Sequence, residues 1–251
     1  MHFFVVFILL LSAPAISDTV FHYKQPESSK PRIAIIIDDI GYNLALGRRT
    51  IALKGAITLA VLPHTPGAVK LAKEGYAAGK EIMLHAPMSN KNDRALGPGA
   101  LTPNLDKEEI LSVLRGNLEA IPHVHGVNNH MGSELTTLET PMQWVMEELH
   151  NRKLFFIDSL TNSQSVALKV ARQYGVTSAK RDIFLDHVQT EEEIERAFKR
   201  TIQTAKKQGY AIAIGHPYPE TLTVLERNLP HLEELGVRLV TISEIILLRN
   251  Q

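Results

Sequence analysis

Apolar residues in this chain fall into short β-like runs, each followed by a stretch with helical spacing. The clearest runs are Ile33–Ile37, Ile57–Leu62, Ile82–Leu84, Leu154–Ile157, Ala211–Ile214 and Arg238–Thr241, with weaker ones at Gly126–Asn129 and Thr177–Lys180. Successive strand ends lie about 25–30 residues apart, the length of a strand–loop–helix–loop unit. One interval is longer: between His85 and His130 the chain carries a loop rich in Gly, Pro and Asn, from Ser89 to Asn104. Loops of that length in a compact domain are usually functional or mobile.

The helical stretches carry start and stop residues. Thr140-Pro141 with Gln143 reads as an N-cap, a first-turn proline and a capping box; Thr190 with Glu193 and Asp106 with Glu109 give two more boxes. Gly79, Gly175, Gly209 and Gly236 stand where helices should stop before the next strand. Eight strand candidates alternating with helices predict an α/β fold on a parallel sheet. A closed or nearly closed barrel and an open doubly wound sheet both fit. No G-x-G-x-x-G or G-x-x-x-x-G-K-[ST] follows any strand, which removes the commonest reason to choose the open sheet.

The N-terminus departs from this rhythm. Phe3–Leu11 is an unbroken apolar run followed by Ser12-Ala13-Pro14-Ala15-Ile16-Ser17, the pattern of a signal peptide over residues 1–17 with cleavage after Ala15 or Ser17. The run is shorter than the roughly 20 apolar residues that span a bilayer. Only Met1 and His2 precede it, with no Lys or Arg, so a retained N-terminal anchor is the alternative. Either route predicts export to the periplasm or beyond the cell. No later segment is apolar enough to cross a membrane. Residues 18–30 are polar, carry Pro26 and Ser28-Ser29, and read as a tether. The remainder, residues 31–251, suffices for one barrel domain with a real core.

Charge and cysteine content narrow the chemistry. Lys plus Arg and Asp plus Glu both number 27, without a long basic run, which argues against nucleic acid as a main partner. Cysteine is absent, so there is no disulfide framework and any metal must use His, Asp or Glu.

Polar residues gather where strands should end. These are Asp38-Asp39-Ile40-Gly41, His85-Ala86-Pro87-Met88, Asn128-Asn129-His130-Met131-Gly132-Ser133, Asp158-Ser159 and Gly215-His216-Pro217. In parallel α/β barrels the C-terminal strand ends share one rim, and that rim holds the active site. Each piece has a plainer reading. Asp39 could cap the helix that starts near Tyr42, a lone strand-end histidine is more often a hydrogen-bonded core residue, and Asn128-Asn129 could be turn residues. Five strands sending carboxylate or imidazole to one rim are harder to explain by packing. Other histidines fit less well. His123-Val124-His125 has ligand spacing but precedes its strand, which puts it at the opposite end. His64 ends the second strand, where it could contact substrate; His150, His187 and His231 should be solvated.

Taken together, these strand-end motifs, with Phe156-Ile157-Asp158-Ser159 and Ile214-Gly215-His216-Pro217, resemble the divergent polysaccharide deacetylase family from about Pro31 to Leu248. The resemblance implies a distorted seven- or eight-stranded β/α barrel, export, and hydrolysis of acetyl groups on a glycan. It also implies one divalent metal, with zinc the expected ion. The metal role falls to Asp39, His85 and His130, the base role to Asp38 and the acid role to His216. Asn129, Asp158 and Asp186 become the residues that orient imidazoles or touch substrate. Two departures stand out. Ordinary polysaccharide deacetylases place two histidine ligands four residues apart after the third strand, where this chain has His85 and Ser89. Their Arg-Pro-rich motif at the fourth strand is also missing. Two histidines and one carboxylate form a usual catalytic zinc set that leaves room for water. A non-catalytic metal- or glycan-binding barrel, and a metal hydrolase acting on phosphoesters or peptides, are the competing readings, since one barrel hosts many chemistries.

Overall fold

The computed structural model describes residues 30–249. The expected signal peptide over 1–17, and the tether over 18–30 except for Lys30, lie outside the described residues. Nine parallel strands form one curled sheet: β1 (Arg32–Ile40), β2 (Thr58–Val61), β3 (Glu81–Met88), β4 (Val124–Met131), β5 (Phe155–Asp158), β6 (Ser178–Lys180), β7 (Ile183–Phe184), β8 (Tyr210–Gly215) and β9 (Arg238–Leu239). Eight lie on one path, β6-β5-β4-β3-β2-β1-β8-β7, and β9 pairs with the start of β1. Helices α1 (Leu44–Ile51), α2 (Ala68–Ala77), α3 (Lys107–Ala120), α4 (Glu139–Asn151), α5 (Ala167–Gln173), α6 (Glu191–Gln208) and α7 (Pro219–Asn228) alternate with the strands. α8 (Ile242–Arg249) ends the described chain. No helix among the described residues is long and apolar enough to cross a membrane.

The alternation of side chains along the strands builds two cores. Ile33, Ile35, Ile37, Leu59, Leu84, Val127 and Phe156 face the helices and pack with Leu71, Leu114, Met146 and Phe198. Ala34, Ile36, Ala60, Met83, Ile157, Ile212 and Ile214 face the inside of the curl and meet Ile242, Ile245 and Ile246 of α8. Both faces of the central strands are therefore apolar, which explains the unbroken isoleucine run in β1. α8 closes the floor of the barrel. Its first turn is fastened by the buried Glu81, which accepts from the Ile242 and Thr58 donors at 2.8 and 3.0 Å and also from Ser243.

The sheet is an incomplete barrel. Its path ends at β6 and β7, joined only by Arg181-Asp182. That connector spans the gap: Arg181 N donates to Asp158 O (3.0 Å) and Asp182 N to Ile212 O (2.9 Å). The expected seven- or eight-stranded distorted barrel is the observed architecture, with two differences in detail. β7, two residues long, is too short to show a periodic pattern in sequence. The run expected at Arg238–Thr241 pairs over only two residues before α8 begins. The helix expected to start at Thr140 is also corrected, because α4 begins at Glu139 and its N-cap, Leu138, makes no side-chain cap. The box at Asp106 and Glu109 is present in both directions.

Candidate metal centre

Strand alternation decides which polar residues reach the interior of the rim. Counting on from the inward positions of each strand, Asp38 follows Ile36, His85 follows Met83, and Asn128 and His130 lie either side of the outward Asn129. The β3–β4 register sets His85 opposite Asn128 and Pro87 opposite His130, so three polar side chains share one patch of the inner face. On β8 the same count makes His216 inward after Ile214, and on the β7 side Asp186 after Phe184.

Asp39 would point outward in a regular strand. It is redirected by a register shift between Ile37 and Ile40, where three steps of β1 oppose two of β2, and by a left-handed backbone at φ 55°. Asp is among the few residues that visit this region. Met131 (φ 54°) and Leu160 (φ 49°) adopt it too, just past the β4 and β5 residues that frame the site. Such conformations cost about 1–3 kcal/mol each and gather at functional sites.

The result is a tight group. Asp39 Oδ1 lies 2.9 Å from His130 Nδ1 and 3.2 Å from His85 Nε2, and those two nitrogens are 3.1 Å apart. Despite the short distances Asp39 Oδ1 is buried and makes no well-aligned hydrogen bond. Burial works to raise the Asp39 pKa, but the His130 and His85 rings hold the carboxyl well below the ordinary range. Among the described residues this is the group of three or more side chains able to hold a metal ion. The edge of a tetrahedral zinc site with bonds near 2.0–2.1 Å is about 3.3 Å, close to the three separations. The donor set fits a divalent metal.

Two further groups border this triangle. Asp38, almost fully buried, has Oδ2 3.6 Å from His85 Nε2 and accepts a bond from Asn128 Nδ2 at 2.8 Å. Burial lifts its pKa, and the neighbouring His85 and His216 rings work against that rise. His216 Nε2 lies 3.8 Å from Asp39 Oδ2, and its Nδ1 is 3.0 Å from Asp186 Oδ1. Asp186 Oδ2 also accepts from His216 N (2.6 Å) and Thr221 Oγ1 (2.8 Å). Burial alone would lower the His216 pKa, but the Asp186 carboxylate overrides it and the ring is pushed up to about 9.

Five residues expected at the rim, Asp38, Asp39, His85, His130 and His216, are thus brought together, with Asp186 behind His216. Asn129 and Asp158 are not placed as expected. Both occupy outward positions: Asn129 bonds Ser159 N and Met131 O, and Asp158 bonds Leu160 N and Ser165 Oγ, so neither orients an imidazole. The residue that does is Asn128, next door to one of them. Arg181 was also missed. It donates to Ser159 O (2.8 Å) and Leu160 O (3.1 Å), rests on the Phe184 ring at 4.9 Å, and brings its positive charge near Asp38. Its one trace in sequence is the charged triplet Lys180-Arg181-Asp182 closing a β-like run.

The other histidines lie apart. His64 Nε2 is 3.0 Å from Asn117 Oδ1, and Asn117 in turn holds Gly99 O of the long loop. His123 stacks on Tyr76 at 3.8 Å. His125 and His150 line a cavity of about 1130 Å³ at the N-terminal ends of β3–β5, the opposite face of the barrel. Glu81 also lines it, but its carboxylate fastens α8, and the metal-capable group of side chains lies at the other end.

A profile of the divergent polysaccharide deacetylases matches residues 35–246. The chain belongs to this family. The uncharacterized protein YibQ of Escherichia coli (strain K12) is 38% identical over 202 residues, 79% of this chain and 63% of YibQ, so over a third of that relative lies outside the match. Among solved structures, uncharacterized protein ATU2773 from Agrobacterium tumefaciens C58 superposes with a TM-score of 0.84 at 21% identity, over 88% of this chain and 91% of that one. The peptidoglycan deacetylase PdaC of Bacillus subtilis gives 0.53 at 15% identity, over 90% and 95% of the two chains. At such identities the superpositions establish the shared fold, and the family assignment rests on the profile.

Proposed function

We propose that this member of the family is an exported, metal-dependent hydrolase that removes N- or O-acetyl groups from an envelope or extracellular polysaccharide. The observation that carries the reading is the Asp39–His85–His130 triangle with its unsatisfied buried oxygen, bordered by a buried carboxylate and a carboxylate-held imidazole. The reading includes the division of the chain into a leader over 1–17, a tether over 18–30 and a barrel domain over 31–251. It takes zinc as the resident ion.

Asp39 Oδ1, His85 Nε2 and His130 Nδ1 would hold the metal. When bound, such an ion lowers the pKa of water and polarises an acyl carbonyl. The chain supplies the proton transfers. Asp38 takes the proton of the attacking water; its burial and raised pKa suit a base that must later give the proton up. His216, held at Nδ1 by Asp186, presents Nε2 and protonates the leaving amine or alcohol. A ring pushed up to about 9 is charged at neutral pH, as an acid must be. Asp186 holds the Nδ1 side of the ring, so the proton that His216 gives up is the one on Nε2.

The test has two stages. Protein purified without chelator and titrated with zinc should bind about one ion per chain, and the loaded protein should release acetate from an acetylated glycan. Folded protein that takes up no divalent metal would sink the reading. So would loaded protein that hydrolyses phosphoesters or peptides and leaves every acetylated glycan intact.

A further inference from the structure

Asn128 is completely buried, and the register sets it beside His85. Its one amide reaches two of the site's working groups: Oδ1 is 2.8 Å from His85 Nδ1, and Nδ2 is 2.8 Å from Asp38 Oδ1, with Ser159 Oγ at 3.4 Å. Chemistry fixes the direction of this chain of bonds. Asn128 Nδ2 is the atom that faces Asp38, as the donor to a carboxylate that acts as a base. Its carbonyl then faces His85, and His85 Nδ1 must carry the ring proton. That tautomer leaves the lone pair on Nε2, the nitrogen 3.2 Å from Asp39 Oδ1 and 3.1 Å from His130 Nδ1.

We propose that Asn128 is a positioning residue that sets the tautomer of His85 and the orientation of Asp38 through a single amide, coupling metal capture to the proton-transfer carboxylate. This rests on the reading of the site given above. The arrangement differs from that around His216, where a carboxylate, Asp186, holds the ring. A carboxylate at position 128 could hold His85 equally well, but it would face Asp38 with like charge. An amide offers an acceptor to the ring and a donor to the carboxylate from one planar group, which a carboxylate cannot do.

Two substitutions separate the two arms. Asn128→Asp keeps the acceptor for His85 and replaces the donor to Asp38 with a second acceptor. It should keep zinc affinity within a few fold of the parent and lose turnover. Asn128→Leu removes both arms, and zinc affinity measured by competition with a chelator should fall about 10–100-fold, the usual effect of losing a partner behind a ligating histidine. The direct readout is the ¹⁵N shift pattern of His85 in metal-free protein, titrated to a pH at which the ring is neutral. The proton should sit on Nδ1 in the parent and in Asn128→Asp, and leave Nδ1 as the dominant site in Asn128→Leu. A purely structural asparagine would lower melting temperature in the variants while leaving tautomer and zinc affinity unchanged. That outcome overturns the proposal, as does a parent protein whose neutral His85 carries its proton on Nε2. The parent spectrum needs no variant to fold and no metal to bind, so it fails or succeeds independently of the deacetylase reading.

Discussion

Ala34, Ile36 and Asp38 point into the curl of the sheet, while Ile33, Ile35 and Ile37 point at the helices. The same count along each strand places Asp38, His85, Asn128, His130, Asp186 and His216 inside, and sends Asn129 and Asp158 out. A single-residue step thus separates a residue that can meet the metal from one that supports a loop. Asp39 breaks the count and is the residue whose backbone is bent to bring it in, at φ 55°. Substitution should therefore sort these residues by role. Asp39→Ala, His85→Ala and His130→Ala should each strip zinc from folded protein, since a three-residue site loses a donor. Asp38→Asn should retain zinc and lose turnover by roughly 10²–10⁴-fold, the range for a residue in proton transfer. His216→Ala should also retain zinc, with the larger loss on amides, whose leaving groups need the proton most. Metal content measured beside melting temperature decides the matter: zinc lost from Asp38→Asn and kept by Asp39→Ala would reverse the two roles. The five central residues were legible because carboxylate and imidazole directly after an apolar run are costly to place without a purpose. Asn128 was not singled out over Asn129, because the face of a strand is known only once its neighbours are. The bulge that turns Asp39 inward has no mark in sequence at all.

At the scale of single elements, the chain's punctuation was mostly readable, and it yields a pair of opposite predictions. α6 ends at Gly209, whose φ of 91° lies in the left-handed region and whose missing side chain would meet nothing within 4 Å. Gly209→Ala should therefore destabilise by about 1 kcal/mol through the backbone alone. Gly116 sits inside α3 with equally open space and no positive φ, so Gly116→Ala should stabilise by about 0.5–1 kcal/mol. Thermal melts of the two variants should move in opposite directions, and movement in the same direction would refute the backbone argument. Thr140-Pro141 misled because a good first-turn pair does not fix its own position: the helix took Glu139 as its first residue. Between elements, Glu148 of α4 binds Arg115 of α3 at 2.8 Å, a contact no local pattern shows, and it also binds Arg152 four residues on at 2.6 Å. The Arg115 hydrogen bond chiefly, with Arg152 behind it, holds the Glu148 pKa below its ordinary value of 4.5. A lowered carboxylate stabilises the fold above its unfolded pKa and loses that contribution as pH falls through the folded value. Glu148→Gln should thus cost about 1 kcal/mol at neutral pH, and in urea melts the gap to the parent should narrow as pH falls below the ordinary value of 4.5 and close once Glu148 is protonated in the folded protein.

Over the whole molecule, alternating strands and helices made the parallel α/β class plain, while the closure of the sheet depended on a two-residue strand and on Arg181, neither of which has a periodic trace. The ends of the barrel then do different work. One is floored by α8, with the open cavity at its side; the other gathers donors from β1, β3 and β4, brought to one rim only in the folded sheet, where β2 lies between β1 and β3. An unfolded chain has no such triangle, so zinc should bind the native state alone and stabilise it by mass action. At free zinc about 100 times the dissociation constant the gain is about 2.7 kcal/mol, which at roughly 2–4 °C per kcal/mol for a domain of this size is a rise of about 5–10 °C in melting temperature. Chelator should reverse the rise. Asp39→Ala should show no rise at the same zinc concentration. His125→Ala and His150→Ala should show the full rise, since those rings line the opposite face. A rise that survives Asp39→Ala and vanishes in His125→Ala would move the metal to the far end of the barrel, where His123 and His125 have the spacing of ligands and the nearby carboxylate, Glu81, is taken up by α8.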